Sequence, residues 1–208
     1  MRRQPQLYFS FRSPYSWMAV ERLRAAIPDA LERIEFIPYW DPDQTTEAAL
    51  RARGAEFHYV SMSKAKHLYI LMDTKRLAQR LALAMAWPID VDQWWEVPHL
   101  AWLLARRKGR AAQLYDALAA ARWLRGEDIC ERDVLAAAAA EAGLDGAEMV
   151  AAVDDPAIRA EGVECLSRAY DDDIFGLPYL RLGRHRFWGF DRIDQFLEIF
   201  ATEAERSA

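Results

Sequence analysis

The sequence predicts an α/β fold carrying a large helical insertion, and three observations predict it. A strand-like run, a helical repeat and a second strand-like run follow one another within the first 40 residues. From about Thr45 to Val153 the composition shifts to Ala, Leu, Arg and Trp, with almost no alternating pattern. Beyond that block come one more helix, two short alternating runs about a Gly-Arg turn, and a closing amphipathic segment.

The first strand spans Gln6–Phe11 and ends at Ser13-Pro14. From there Trp17, Val20, Leu23 and Ile27 recur at helical spacing, which gives a helix over Pro14–Ile27. Ser is a favoured N-cap and Pro a favoured first helical residue, so Ser13 caps this helix and its hydroxyl lies at an anion-attracting end. Arg33–Pro38 supplies the second strand of a right-handed, parallel βαβ unit. In the helical block the longest helix runs Ser63–Met85, with Ile70, Leu77, Leu81 and Ala84 on one face and Trp87-Pro88 as its stop. Helices follow over His99–Arg107, Ala111–Leu124 and Arg132–Ala142, punctuated by Gly109, Gly126 and Gly143. Asp155-Pro156 opens a helix to about Tyr170, Ile174–Leu182 and Arg186–Trp188 pair as a hairpin about Gly183-Arg184, and Arg192–Ala201 closes the chain.

A length of 208 residues suits one discontinuous domain, 5–44 with 154–203, interrupted by an inserted helical domain at 45–153. The net charge of −5 argues against nucleic acid and anionic membrane surfaces, leaving a small molecule as the expected partner. Met1-Arg2-Arg3-Gln4-Pro5 lacks the apolar core of a leader, and no run approaches the ~20 apolar residues of a membrane span. A cytoplasmic location is expected. The two cysteines, Cys130 and Cys165, are spaced neither as a redox pair nor as a metal knuckle and read as small buried hydrophobes. No pairing of His58, His67, His99 or His185 suggests a metal site. The run Arg106-Arg107-Lys108-Gly109-Arg110 reads as a solvated helix end. Five tryptophans fall in the insertion, mostly as core, with Trp94-Trp95 a candidate wall for a flat substrate.

Ser13-Pro14-Tyr15-Ser16 has the spacing of a Cys-x-x-Cys motif with hydroxyls in place of both sulfurs. Phe175-Gly176-Leu177-Pro178 resembles a Gly-Val-Pro segment holding a cis proline, Trp188-Gly189-Phe190-Asp191-Arg192-Ile193 a Phe/Trp-Gly-x-Asp-Arg-Leu ending, and Lys64-Ala65-Lys66-His67 a Lys-Ala-Lys-Tyr helix opening. With these segments in order, the chain resembles the 2-hydroxychromene-2-carboxylate isomerases and kappa-class glutathione transferases. The resemblance implies a thioredoxin-like, DsbA-like fold with a helical insertion, a homodimer, and glutathione as cofactor in aromatic catabolism. It implies that Ser13 hydrogen-bonds the glutathione sulfur and that Leu177, Pro178, Phe190 and Asp191 hold the rest of glutathione. Tyr15, Ser16 and Lys64 are then the candidates for substrate binding. On the residues alone, Pro178 reads as a strand-entry proline and Asp191 as the cap of the final helix.

The function this implies is a glutathione-dependent isomerase acting on an aromatic or enone carboxylate. A kappa-type transferase with another substrate and a non-redox binding module are the alternatives. The second is motivated by Arg53–His58, which stands where the family carries a Gly-Asn-x-Pro-Pro-like loop; Tyr179 in place of the usual Thr and Phe190 in place of a small or polar residue imply a narrower, more apolar thiol pocket. With Ser13 and Ser16 at the sulfur positions, dithiol chemistry is not expected.

Overall fold

The computed structural model describes residues 4–58 and 62–205. Met1-Arg2-Arg3, part of the stretch read for a leader, lie outside them. One sheet has the order β2-β1-β3-β4, from β1 (Gln6–Phe9), β2 (Glu35–Pro38), β3 (Tyr179–Leu182) and β4 (His185–Trp188). β1 and β2 are parallel, joined through α1 (Pro14–Ala26), while β3 runs antiparallel to both β1 and β4. This is the DsbA-like thioredoxin fold expected from the sequence, with a helical block after the second strand.

Three strands are shorter than their sequence patterns, while β4 begins one residue earlier than expected, at His185. β1 stops at Phe9 rather than Phe11, because the Phe11 N–H is taken by the His99 ring instead of a ladder partner. β2 begins at Glu35 rather than Arg33, since Ala30–Arg33 forms a short helix, α2, that must end first. β3 begins at Tyr179 rather than Ile174, after a cis Leu177–Pro178 bond and a proline with no N–H to donate.

Alternation gives the sheet two faces. Leu7, Phe9, Leu180 and Phe187 face one side, where Phe187 meets Phe196 of α10 (Ile193–Glu205), and α10 in turn packs on α1. Tyr8 and Glu35 face the other side and bond the C-terminal end of α9 (Pro156–Asp171): the Tyr8 hydroxyl donates to Asp172, and Arg168 grips Glu35 at 2.5 and 2.7 Å. The Arg168 guanidinium holds the Glu35 carboxyl below its usual range.

The inserted block comprises α3 (Gln44–Ala52), α4 (Lys64–Arg80), α5 (Glu96–Arg107), α6 (Ala111–Ala119) with a π-helical turn at Ala120–Leu124, α7 (Arg132–Glu141) and α8 (Gly146–Ala151). It joins the sheet through an aromatic seam: Phe9 lies 5.2 Å from Trp102 and 5.7 Å from both Tyr115 and Phe36, and Phe11 lies 5.5 Å from Tyr115. Gly109 and Gly143 close α5 and α7 at positive φ, each followed by an N–H that reaches back five residues, to Ala105 and Ala139.

α4 ends the same way at Ala82, φ 54°, with the Leu83 N–H on the Ala78 carbonyl. It therefore stops at Arg80, not Met85. Its buried residues are Thr74 and Ala78, whereas Leu68, Tyr69, Leu71 and Met72 are exposed. Three cations of the basic run form ion pairs: Arg106 and Arg107 share Glu161 at 2.8 and 2.5 Å, and Lys108 meets Glu148 at 2.7 Å. Among the described residues, no helix is long and apolar enough to cross a membrane.

Candidate functional site

The site forms where β1 turns into α1. Ser13 has extended dihedrals (φ −89°, ψ 114°) and its Oγ accepts the Ser16 N–H at 3.1 Å, so it caps α1 as its residue type requires. That bond occupies one lone pair and leaves the Ser13 hydroxyl proton free to donate outward. Ser13 is partly exposed, while Pro14 behind it is buried.

Sheet pairing brings Pro178 to this same end. Tyr8 pairs with Tyr179, so one step further the antiparallel register sets Pro178 beside Phe9. The Pro178 carbonyl accepts the Gly189 N–H at 2.9 Å, tying in Gly189-Phe190-Asp191, and α1 packs on the 3-10 turn Phe190–Arg192. Gly189 has φ 93°, open only to glycine without strain, and an added Cβ would meet Asp191 Oδ1 at 2.8 Å. Gly176 is also required, since a Cβ there would lie 2.4 Å from Trp188 Nε1. The fold thus brings Ser13 and Pro178 to one end of the sheet and sets Phe190 in the turn packed on α1, with Asp191 exposed beside it.

The other candidates fall differently. Asp191 caps nothing: it sits in the first turn with its carboxylate mostly in solvent, 2.7 Å from Arg192. Ser16 is fully buried, and its Oγ takes the Ser10 N–H at 3.4 Å, so it supports the turn and cannot meet a substrate. The Tyr15 hydroxyl donates to Asp73 of α4 at 2.7 Å. Burial pushes the phenol pKa up, and this hydrogen bond holds the Asp73 carboxyl below its usual range. Lys64 opens the exposed N-terminus of α4, about 13 Å along the helix axis from Asp73, and so is not gathered with Tyr15.

A cavity of about 290 Å³ is lined by Arg12, the residue before Ser13 in the chain, and by Asp41, Asp90, Asp92, Gln93 and Trp95. Arg12 pairs with Asp41, and buried Arg122 holds Asp90 at 2.9 and 2.7 Å while lying between the rings of Trp95 and Trp123. Of the Trp94-Trp95 pair only Trp95 lines this wall; Trp94 turns its Nε1–H to Asp43 at 3.1 Å. A larger hollow, about 450 Å³, lies by Gln6 and Glu35 at the opposite end of β1 and touches none of these residues.

Sequence reasoning passed over His99 and Asp73. His99 has no exposure, its Nε2 lies 3.2 Å from the Phe11 nitrogen, and burial pushes its pKa down to about 3, which keeps the ring neutral. The only signal for it was a histidine within a helix otherwise read as apolar.

A family model for the DSBA-like thioredoxin domain matches residues 6–201. The chain belongs to the DsbA-like thioredoxin family. It is 27% identical over 206 residues to 2-hydroxychromene-2-carboxylate isomerase of Sphingobium xenophagum, covering 98% of this chain and all of that protein. A solved 2-hydroxychromene-2-carboxylate isomerase superposes with a TM-score of 0.78 at 20% identity, covering 98% of this chain and 97% of the other. A probable DsbA oxidoreductase from Streptomyces coelicolor gives 0.69 at 19% identity, covering 95% and 88%.

Within this DsbA-like frame the two cysteines stand elsewhere than the Ser13–Ser16 turn. Cys165 lies buried on α9, its thiol pKa pushed up by burial to about 11, and Cys130 sits half-buried in the turn before α7, its thiol also pushed up by burial. Both are poor thiolates. Among the described residues, no group of three His, Cys, Asp or Glu side chains is placed to hold a metal.

Proposed function

We propose that this DsbA-like chain is a glutathione-dependent isomerase of the 2-hydroxychromene-2-carboxylate type. The observation that carries the reading is the Ser13 hydroxyl, capping α1 with one proton left to donate, at the sheet end shared with Pro178 and Phe190. A hydroxyl donor at a helix N-terminus favours a thiolate over a thiol, as it favours any anion. The 27% identity with the Sphingobium enzyme over nearly the whole chain supports the substrate class.

Glutathione, when bound, supplies a thiolate for reversible addition to an enone, which permits rotation about the former double bond. Ser13 donates a hydrogen bond to the sulfur and orients it without itself attacking. The Leu177 backbone, ahead of the first β3 ladder residue, is available to pair with an extended peptide-like ligand. Asp191 takes the γ-glutamyl ammonium by exchanging its exposed partner Arg192, and Phe190 covers the ligand from the same turn. The substrate occupies the cavity beside Arg12, walled by Trp95. Ser16 has no part in binding.

Calorimetric titration with glutathione and S-methylglutathione, together with thiolate absorbance against pH, tests this. Ser13→Ala should leave S-methylglutathione binding nearly unchanged and raise the pKa of the bound thiol by about one to two pH units, the worth of a hydrogen bond to a charged group. Superimposable titration curves would reduce Ser13 to a cap. A non-redox binding module is the second reading, favoured by the Arg192 partner already on Asp191. Binding without turnover of any enone carboxylate would select it.

A further inference from the structure

We propose that His99, on the inserted helix α5, is the positioning residue for Ser13, resting on the reading of Ser13 above. Between the end of β1 and the start of α1 the chain reverses over four residues, Ser10 to Ser13, whose backbone donors have no ladder to join. Buried donors must find partners elsewhere. The Phe11 N–H donates to His99 Nε2 at 3.2 Å, and the Ser10 hydroxyl lies 3.3 Å from the same nitrogen. Ser10 Oγ accepts the Arg12 N–H at 3.2 Å, and the Ser10 carbonyl accepts the Ser13 N–H at 3.1 Å. The ring nitrogen thus takes the Phe11 amide directly and meets the hydroxyl of Ser10, the residue that holds the Arg12 amide through Oγ and the Ser13 amide through its carbonyl.

The ring itself is fixed from three sides. His99 Nδ1 lies 2.7 Å from the Trp95 carbonyl, which only accepts, so Nδ1 carries the proton and Nε2 presents its lone pair to the turn. Trp40 stacks on the ring at 5.0 Å and 13°, and Phe11 lies on it at 5.2 Å. With no exposure at His99, water has no route to replace these bonds. Trp95 also lines the cavity beside Arg12. His99 therefore joins the cavity wall at one nitrogen to the Ser13 turn at the other, and helix α5 sets where the Ser13 hydroxyl points.

The test uses the full chain with His99→Leu, His99→Gln and Ser10→Ala. Gln keeps an acceptor near the position of Nε2, and Ser10→Ala removes only the hydroxyl relay. Two measurements are made: amide hydrogen exchange at Phe11, Arg12 and Ser13, and the pKa of bound glutathione by thiolate absorbance, with S-methylglutathione as the control ligand. His99→Leu should speed exchange at those three amides by about tenfold or more relative to α1 and the sheet. It should raise the bound thiol pKa by up to about one pH unit, part of what full loss of the Ser13 bond would give, and leave S-methylglutathione affinity within about twofold. His99→Gln should restore most of both effects, and Ser10→Ala should shift both in the same direction by less. Wild-type exchange at Phe11–Ser13 and an unchanged thiol titration in any folded His99→Leu or Ser10→Ala protein would overturn the proposal. Should His99→Leu not fold, Ser10→Ala decides. Should the wild-type protein bind no glutathione, the glutathione reading fails by itself, and the exchange measurement still decides whether His99 holds the turn.

Discussion

Tyr15→Phe isolates one hydroxyl whose worth follows from its surroundings. That hydroxyl donates to the Asp73 carboxylate at 2.7 Å and so ties α1 to α4. A hydrogen bond to a charged group contributes about 1.5–3 kcal/mol when well buried. Asp73 is 29% exposed and also meets Arg76 at 2.8 Å, so solvent and a second partner reduce this to about 1 kcal/mol. In a chain of this length that is a fall of about 2–4 °C in Tm.

The sign with pH is fixed as well. Asp73 has its folded pKa depressed, first by Tyr15, so the stabilisation is present above the unfolded carboxyl value near 3.9 and is lost as pH falls through the lower folded value. Urea unfolding of both proteins at pH 7 and pH 3 measures it: a gap at neutral pH should narrow in acid. α4 buries only Thr74 and Ala78 among its described residues, so its amides should exchange faster in the variant than those of α1. Equal stability at pH 7, or a gap that persists undiminished at pH 3, would refute the reasoning.

Three further outcomes are expected. Gly162→Ala places a Cβ 2.7 Å from Leu100 Cδ2 and 3.1 Å from Trp40 Cη2, so thermal unfolding should register a loss of about 1–3 kcal/mol; an unchanged Tm would show that α9 and α5 can part freely. Asp191→Asn should leave stability within about 0.5 kcal/mol, because the side chain caps nothing, yet weaken glutathione roughly ten- to hundredfold by calorimetry; equal affinities would remove Asp191 from the site. Insulin reduction should be absent, and any turnover that disappears in a Cys130→Ser, Cys165→Ser double variant would contradict the assignment of both cysteines as inert.

The fold was legible in the sequence because its strongest signals are local. Ser13-Pro14 capping α1, Asp155-Pro156 opening α9, and the Gly183-Arg184 hairpin are each written in adjacent residues. What escaped depends on contacts distant in the chain. The end of α4 at Ala82 uses the closure that Gly109 and Gly143 make visible, but an alanine at positive φ leaves no mark to read. The shortened β1 reflects a partner 88 residues away, His99, whose ring takes the Phe11 N–H. Within the site, Ser13 and Pro178 could be named from their motifs, whereas the inward turn of Ser16 and the engagement of Tyr15 by Asp73 could not. A motif spacing tells which residues share a helix end, and only packing tells which side of it they face.

The aromatic seam limits how far this scaffold can be cut down. A minimal chain made by joining Trp40 directly to Asp155 would keep all four strands with α1, α9 and α10. It would also strip Trp102 and Tyr115 from Phe9, Phe11 and Phe36. Three phenylalanine rings would then open on the order of several hundred Å² of greasy surface, the scale at which one molecule sticks to the next. Anyone shrinking the protein into a compact catalyst would have to repaint that face with polar side chains first. Otherwise the truncated product should leave the column as an aggregate.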